Sequence, residues 1–185
     1  MGFMDRFRNA NSWYKQGVKL AQQGRYEETL ICFNNAIRMD PKSEIVWNSK
    51  GLILEKLKRY QEAVDSFDDA IELDPEFILA YINKGISLGK LGRYEESLVC
   101  FDKALKLYPE HVLALTSKGI SYGKLEKFDA ALRCFDKVIR IDPDNAEAWF
   151  NKGSIYKERN KIEEADECFS KALKIKPGYQ AAWKA

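Results

Sequence analysis

The prolines Pro41, Pro75, Pro109, Pro143 and Pro177 are all that the chain contains, and each follows the last by 34 residues. The glycines Gly17, Gly51, Gly85, Gly119 and Gly153 keep the same period, and so do Phe33, Phe67, Phe101, Phe135 and Phe169. Three residue types in one register mean one structural element used five times, so the chain is an array of repeats. An array of this kind buries its apolar faces between neighbours in line rather than around one centre.

Within each repeat an apolar pattern of helical period runs for about 14 residues. It breaks at a short polar turn, such as Leu91-Gly92-Arg93, and resumes. The pattern predicts two helices of about 20 Å each, at about 1.5 Å per residue. The proline ends the second helix, because the residue before it avoids the α conformation. A glycine inside a helix costs about 1 kcal/mol against alanine, so five in register predict a close helix crossing that offsets the cost.

A 34-residue helix–turn–helix pattern of this composition resembles the tetratricopeptide repeat family. The repeats run 10–43, 44–77, 78–111, 112–145 and 146–179, covering 170 of 185 residues. Numbering each from 1, position 4 holds Trp13, Trp47, Tyr81, Leu115 and Trp149, and position 11 holds Leu20, Leu54, Leu88, Tyr122 and Tyr156. Small residues recur at position 20 (Thr29, Ala63, Ser97, Ala131, Ala165), and position 27 has Ala36, Ala70, Ala104, Val138 and Ala172. The family's usual leucine at position 7 is replaced by Gln16, Lys50, Lys84, Lys118 and Lys152. The resemblance implies an all-α solenoid of antiparallel helix pairs, stacked into a right-handed superhelix whose first helices line a concave groove.

Residues 1–9 are expected to be a frayed leader rather than a turn of capping helix. Residues 180–185 read as the start of a sixth repeat, with Ala182 and Trp183 at positions 3 and 4. The fifth repeat's second helix keeps Ile162, Phe169 and Leu173, with little of the polar cap that ends a solenoid. A longer parent array, or self-association through this uncapped end, is the expectation.

Chemistry of other kinds finds little support. Lys plus Arg is 30 against 28 Asp plus Glu, a net charge of +2, which supplies no large basic surface for nucleic acid. One histidine, His111, speaks against histidine-based catalysis or zinc, and it reads as a solvated loop residue. No metal or other cofactor is expected. Cys32, Cys100, Cys134 and Cys168 all fall at position 23, a spacing that offers no metal motif, so they read as small packing residues. The pairs Glu27-Glu28, Glu95-Glu96 and Glu163-Glu164 begin second helices, where negative charge suits the dipole. The longest apolar run, Phe77 to Ile82, is six residues, far short of the ~20 that cross a bilayer. The expectation is therefore a cytoplasmic, non-enzymatic protein with no membrane partner.

What remains is the groove. The family's groove positions carry Ile45, Leu79 and Leu113 at position 2, and Val18, Leu52, Ile86 and Ile120 at position 9. Position 5 has Tyr14, Asn48, Ile82, Thr116 and Phe150, and position 6 includes Asn83, Ser117 and Asn151. Lys56, Lys90 and Lys124 stand at position 13. Positions 2, 6, 9 and 13 share one face of a helix, which predicts apolar patches ending in lysines and hence a protein or peptide partner with apolar and acidic residues. Gly89 and Gly123 at position 12 predict the deepest point. The lysine and asparagine clamp of chaperone-tail binders is absent in every register. Asn83 and Asn151 form part of the asparagine ladder of the O-GlcNAc transferase arrays, which keeps an accessory region of a larger enzyme as the alternative, beside a self-assembling scaffold.

Overall fold

The computed structural model describes the backbone of residues 3–177 and the side chains of residues 9–177. Every regular element among them is an α-helix. In chain order these are α1 (Phe3–Gln22), α2 (Tyr26–Met39), α3 (Glu44–Lys56), α4 (Tyr60–Leu73), α5 (Ile78–Lys90), α6 (Tyr94–Leu107), α7 (Val112–Lys124), α8 (Phe128–Ile141), α9 (Ala146–Glu158) and α10 (Ile162–Ile175). The helices gather into two compact units, residues 1–93 and 94–185, which divide in the turn of the third repeat.

The leader departs from the frayed expectation: α1 is helical from Phe3 and continuous with the first repeat. No proline or glycine lies between Phe3 and Gln16, so each added residue gains a helical hydrogen bond at no new nucleation cost. The expected sixth repeat, with Ala182 and Trp183, lies outside the described residues.

In the N-terminal unit, α1 packs on α2, α3 on α4, and α2 and α4 each on the following first helix. Phe33 and Phe67 sit in one core with Leu30, Leu54 and Ala63. In the C-terminal unit the same pattern joins α6 to α10, with Phe135 against Ala131 and Ile155, and Leu115 against Val138 and Ala148. The close crossing predicted by the glycines is present in both. A Cβ on Gly17 would stand 2.5 Å from Phe33, on Gly119 2.6 Å from Phe135, and on Gly153 2.8 Å from Phe169. Gly51 faces Phe67 in the same way.

Each turn within a repeat passes through the left-handed region at position 15, occupied by Gly24, Lys58, Gly92, Glu126 and Asn160. The next amide donates back to position 11, as from Arg59 to Leu54 and Lys127 to Tyr122, both at 2.9 Å. This closes the helix end in the pattern of a Schellman motif. Lys58 and Glu126 hold a positive φ without the freedom of glycine, at about 1 kcal/mol each. The turns between repeats are pinned by indoles: Trp47 Nε1 donates to the Pro41 carbonyl at 3.0 Å, and Trp149 Nε1 to that of Pro143 at 2.9 Å. His111 is more than a solvated loop residue. Its Nδ1 accepts from the Ala114 amide at 3.4 Å and so caps α7, and its ring meets Tyr108 edge-on.

The lysines at position 7 reach back to the preceding repeat. Lys84 pairs with Asp68, Lys118 with Asp102 and Lys152 with Asp136, at 2.5, 2.5 and 2.6 Å. Each aspartate stands at position 25 of the repeat before. Burial pushes the Lys118 and Lys152 ammoniums down, but the hydrogen bond and charge of Asp102 and Asp136 outweigh it and hold both above the ordinary value. Lys50 finds the neutral Asn34 at that place. It lies instead over the Trp47 ring, 4.9 Å from its centre, and burial holds it below the ordinary value despite Asp69 nearby. All four cysteines are buried, and burial raises the thiols of Cys32, Cys134 and Cys168.

Candidate interaction faces on the first helices

Positions 2, 9 and 13 lie on the surface of their helices. In the N-terminal unit Ile45 and Leu79 are each 50% exposed and Leu52 39%, while Lys56 and Lys90 are exposed beyond them. Val18 and Ile86 are half-buried, Val18 against the core beneath α1 and α3. In the C-terminal unit Leu113 is 48% and Ile120 39% exposed, and Lys124 is exposed. Folding thus leaves large aliphatic side chains in water on both units, each face ending in lysine as the heptad-like spacing requires.

Position 5 does not line a face as expected. Ile82 is fully buried, and Thr116 and Asn48 are nearly so at 3% and 7%. The reason is rotation about the helix axis: position 5 points between repeats, where a neighbouring helix covers it. Tyr14 and Phe150 are half-buried at this position. Tyr14 stacks on Phe33 with centroids 5.6 Å apart, and Phe150 tilts against Phe169 at 5.4 Å.

Positions 5 and 6 of successive repeats meet. In the N-terminal unit the hydroxyls of Tyr14 and Ser49 lie 3.4 Å apart, and Asn83 Nδ2 donates to Asn48 Oδ1 at 3.0 Å. In the C-terminal unit the corresponding residues are Thr116 and Asn151. Here Asn151 Nδ2 is buried without a hydrogen-bond partner, a state that costs about 1–3 kcal/mol. Ser117 is half-buried on the same unit.

Gly89 and Gly123 behave differently from one another. Nothing stands within 4 Å of a Cβ on Gly89, whereas one on Gly123 would come within 2.9 Å of Ile155 Cδ1. Around Gly123 lies an open depression of about 320 Å³, lined by Ile120, Lys124, Ile155 and Asn151, with Glu126 and Glu158. A second, of about 290 Å³, lies in the N-terminal unit beside Asn11, Tyr14, Asp40 and Ile45. Glu126 was not legible as a site residue, because it sits in a turn. Glu158 stands at position 13, the register of Lys56, Lys90 and Lys124, and that register is the signal that could have found it. In the N-terminal unit the carboxyl of Glu55 is raised by burial, which outweighs the charges of Lys56 and Lys90.

Among the described residues no cluster of His, Cys, Asp and Glu could hold a metal, and no helix is long and apolar enough to cross a membrane. Models of the tetratricopeptide repeat match residues 10–43, 45–77, 78–111, 112–145 and 146–179. No curated relative matches the chain. Among solved structures, MamA (residues 41 to the end) from Desulfovibrio magneticus RS-1 is similar with a TM-score of 0.85 at 22% identity, covering 93% of this chain and 97% of that one. YrrB, a TPR protein with an unusual peptide-binding site, gives 0.78 at 23%, covering 100% and 97%. PilW, a widely conserved type IV pilus biogenesis factor, gives 0.82 at 26%, covering 90% and 77%. The fold they share with this chain is the α-solenoid of stacked helix pairs.

Proposed function

Because the chain belongs to the tetratricopeptide repeat family, we propose that it is a non-enzymatic protein-interaction module that binds a peptide or helix on the faces of its first helices. The observation that carries this reading is the exposure of Ile45, Leu79 and Leu113 at position 2 and of Leu52 and Ile120 at position 9, large aliphatic side chains on those helices. Folding had the means to bury them, as it buried Ile82 and Leu88 on α5, and surfaces of this kind mark interaction sites. YrrB, with the same fold, has a peptide-binding site, which supports the reading by analogy.

A partner that fits the N-terminal unit presents apolar residues to Ile45, Leu52 and Leu79 and acidic ones to Lys56 and Lys90. Burying each apolar side chain yields about 1.5–3 kcal/mol, offset by the cost of ordering the peptide. The net is a micromolar interaction, about −8 kcal/mol. The lysines raise the association rate and make it fall with salt.

Affinity capture with mass spectrometry, run in parallel on the native chain and on Leu79→Glu and Leu113→Glu, tests the reading. Both substitutions change exposed side chains, so the melting temperature should hold while captured partners are lost. Unchanged capture by both variants, or loss only on substituting Ile31 and Val99 on the second helices, would place the interaction elsewhere.

A further inference from the structure

The depression around Gly123 differs in charge from the lysine-ended face of the N-terminal unit. Its lining sets one lysine, Lys124, against two glutamates, Glu126 and Glu158. None of the three is held in an ion pair with another described residue. Its floor is apolar, formed by Ile120 and Ile155, and the missing side chain of Gly123 keeps it open. At about 320 Å³ it lies at the small end of the ~300–1,000 Å³ of ligand pockets. That is room for one large side chain and its flanking main chain.

Asn151 completes the arrangement. It lines the depression, and its Nδ2 is withdrawn from solvent without a hydrogen-bond partner. The terminal torsion of asparagine is broad, so a turn about it brings the N–H to an occupant without breaking any bond of Nδ2. A carbonyl oxygen is the acceptor that every peptide carries there.

We infer that this depression is a subsite for a bulky aliphatic or aromatic side chain of a partner segment that carries Lys or Arg beside it, with a main-chain carbonyl accepting from Asn151 Nδ2. The inference rests on the reading of the first-helix faces as peptide-binding surfaces, and it gives the C-terminal unit the opposite charge preference to the N-terminal one. Two carboxylates on the lining attract a guanidinium or ammonium and repel an acidic flank.

Selection from a phage-displayed library of random dodecapeptides on the full chain, followed by fluorescence anisotropy with the most enriched peptide, tests it. The enriched peptides should place an apolar residue next to Lys or Arg. The double variant Glu126→Gln with Glu158→Gln should weaken that peptide about tenfold, and Asn151→Ala by a similar factor. Both glutamates are exposed, so their replacement leaves the fold intact and circular dichroism melts verify this. Enrichment of acidic-flanked peptides, or native-like binding by the double variant, overturns the subsite and leaves the wider peptide-binding reading standing. Absence of any enriched peptide overturns both.

Discussion

The two units are built from the same repeat yet are stitched differently. The C-terminal unit has a lysine–aspartate pair at each of its two junctions, Lys118–Asp102 and Lys152–Asp136, but leaves Asn151 Nδ2 unpaired between its first helices. The N-terminal unit closes both of its links between first helices, Tyr14–Ser49 and Asn83–Asn48, but lacks a charged partner for Lys50. Duplication supplies equivalent positions, and single substitutions then decide which of them are closed. A position left open is a cost to stability and an opportunity for a ligand.

The largest test of that equivalence lies in the core. Phe67→Ala and Phe135→Ala should each cost about 3–5 kcal/mol, because both rings are fully enclosed against a glycine. Stability in an array is a sum of local and neighbour terms, so each substitution should loosen its own unit first. Hydrogen exchange should find amide protection lost in residues 1–93 for the former and 94–177 for the latter. Uniform loss in both would mean that the units unfold as one.

Next in size is an exchange between the amide links. Asn48→Thr should orphan Asn83 Nδ2 and cost about 1–3 kcal/mol. Thr116→Asn should give Asn151 a partner and stabilise the C-terminal unit by about 1 kcal/mol. Urea unfolding of the two variants would measure both, and a loss in each case would show that the pairs are not interchangeable.

The backbone offers a smaller handle. Lys58→Gly should relieve the positive φ and raise stability by about 1 kcal/mol, less the entropy glycine gains when unfolded. Smaller still, Asn34→Asp should supply Lys50 with the partner its counterparts have, for about 0.5 kcal/mol in this half-exposed setting. If the thermal midpoint does not rise, Lys50 cannot adopt the geometry of Lys84.

The least effect is expected from alkaline pH, with opposite signs in the two units. Lys118 and Lys152 bind protons more tightly when folded. Their contribution is complete below the ordinary lysine value of 10.5 and lost as pH climbs through their raised folded values. Lys50 is depressed, so the unfolded chain binds more protons between its folded value and 10.5, and stability rises with pH across that window. Urea unfolding of Lys50→Met and of the double variant Lys118→Met with Lys152→Met in an alkaline series should show the two dependences disappear, one with each variant.

The repeat length, the two helices in each repeat, the glycine–phenylalanine crossing and the exposure of Ile45, Leu79 and Leu113 were all legible in the sequence. Each depends on helical period and on residue size at fixed spacing, which are local properties that one pattern repeated five times states redundantly. The tertiary structure alone decided the rest. It turned position 5 inwards, so that Ile82 and Thr116 belong to the core. It carried the position 7 lysines back to aspartates of the preceding repeat, a link 16 residues long in sequence and 2.5–2.6 Å in space. It brought Glu126 from the turn at α7's end to one depression with Asn151 and Glu158 of α9. Such meetings depend on how far each helix is rotated about its axis against its neighbours. That angle is set by the sum of many packing contacts, and no single residue or spacing records it.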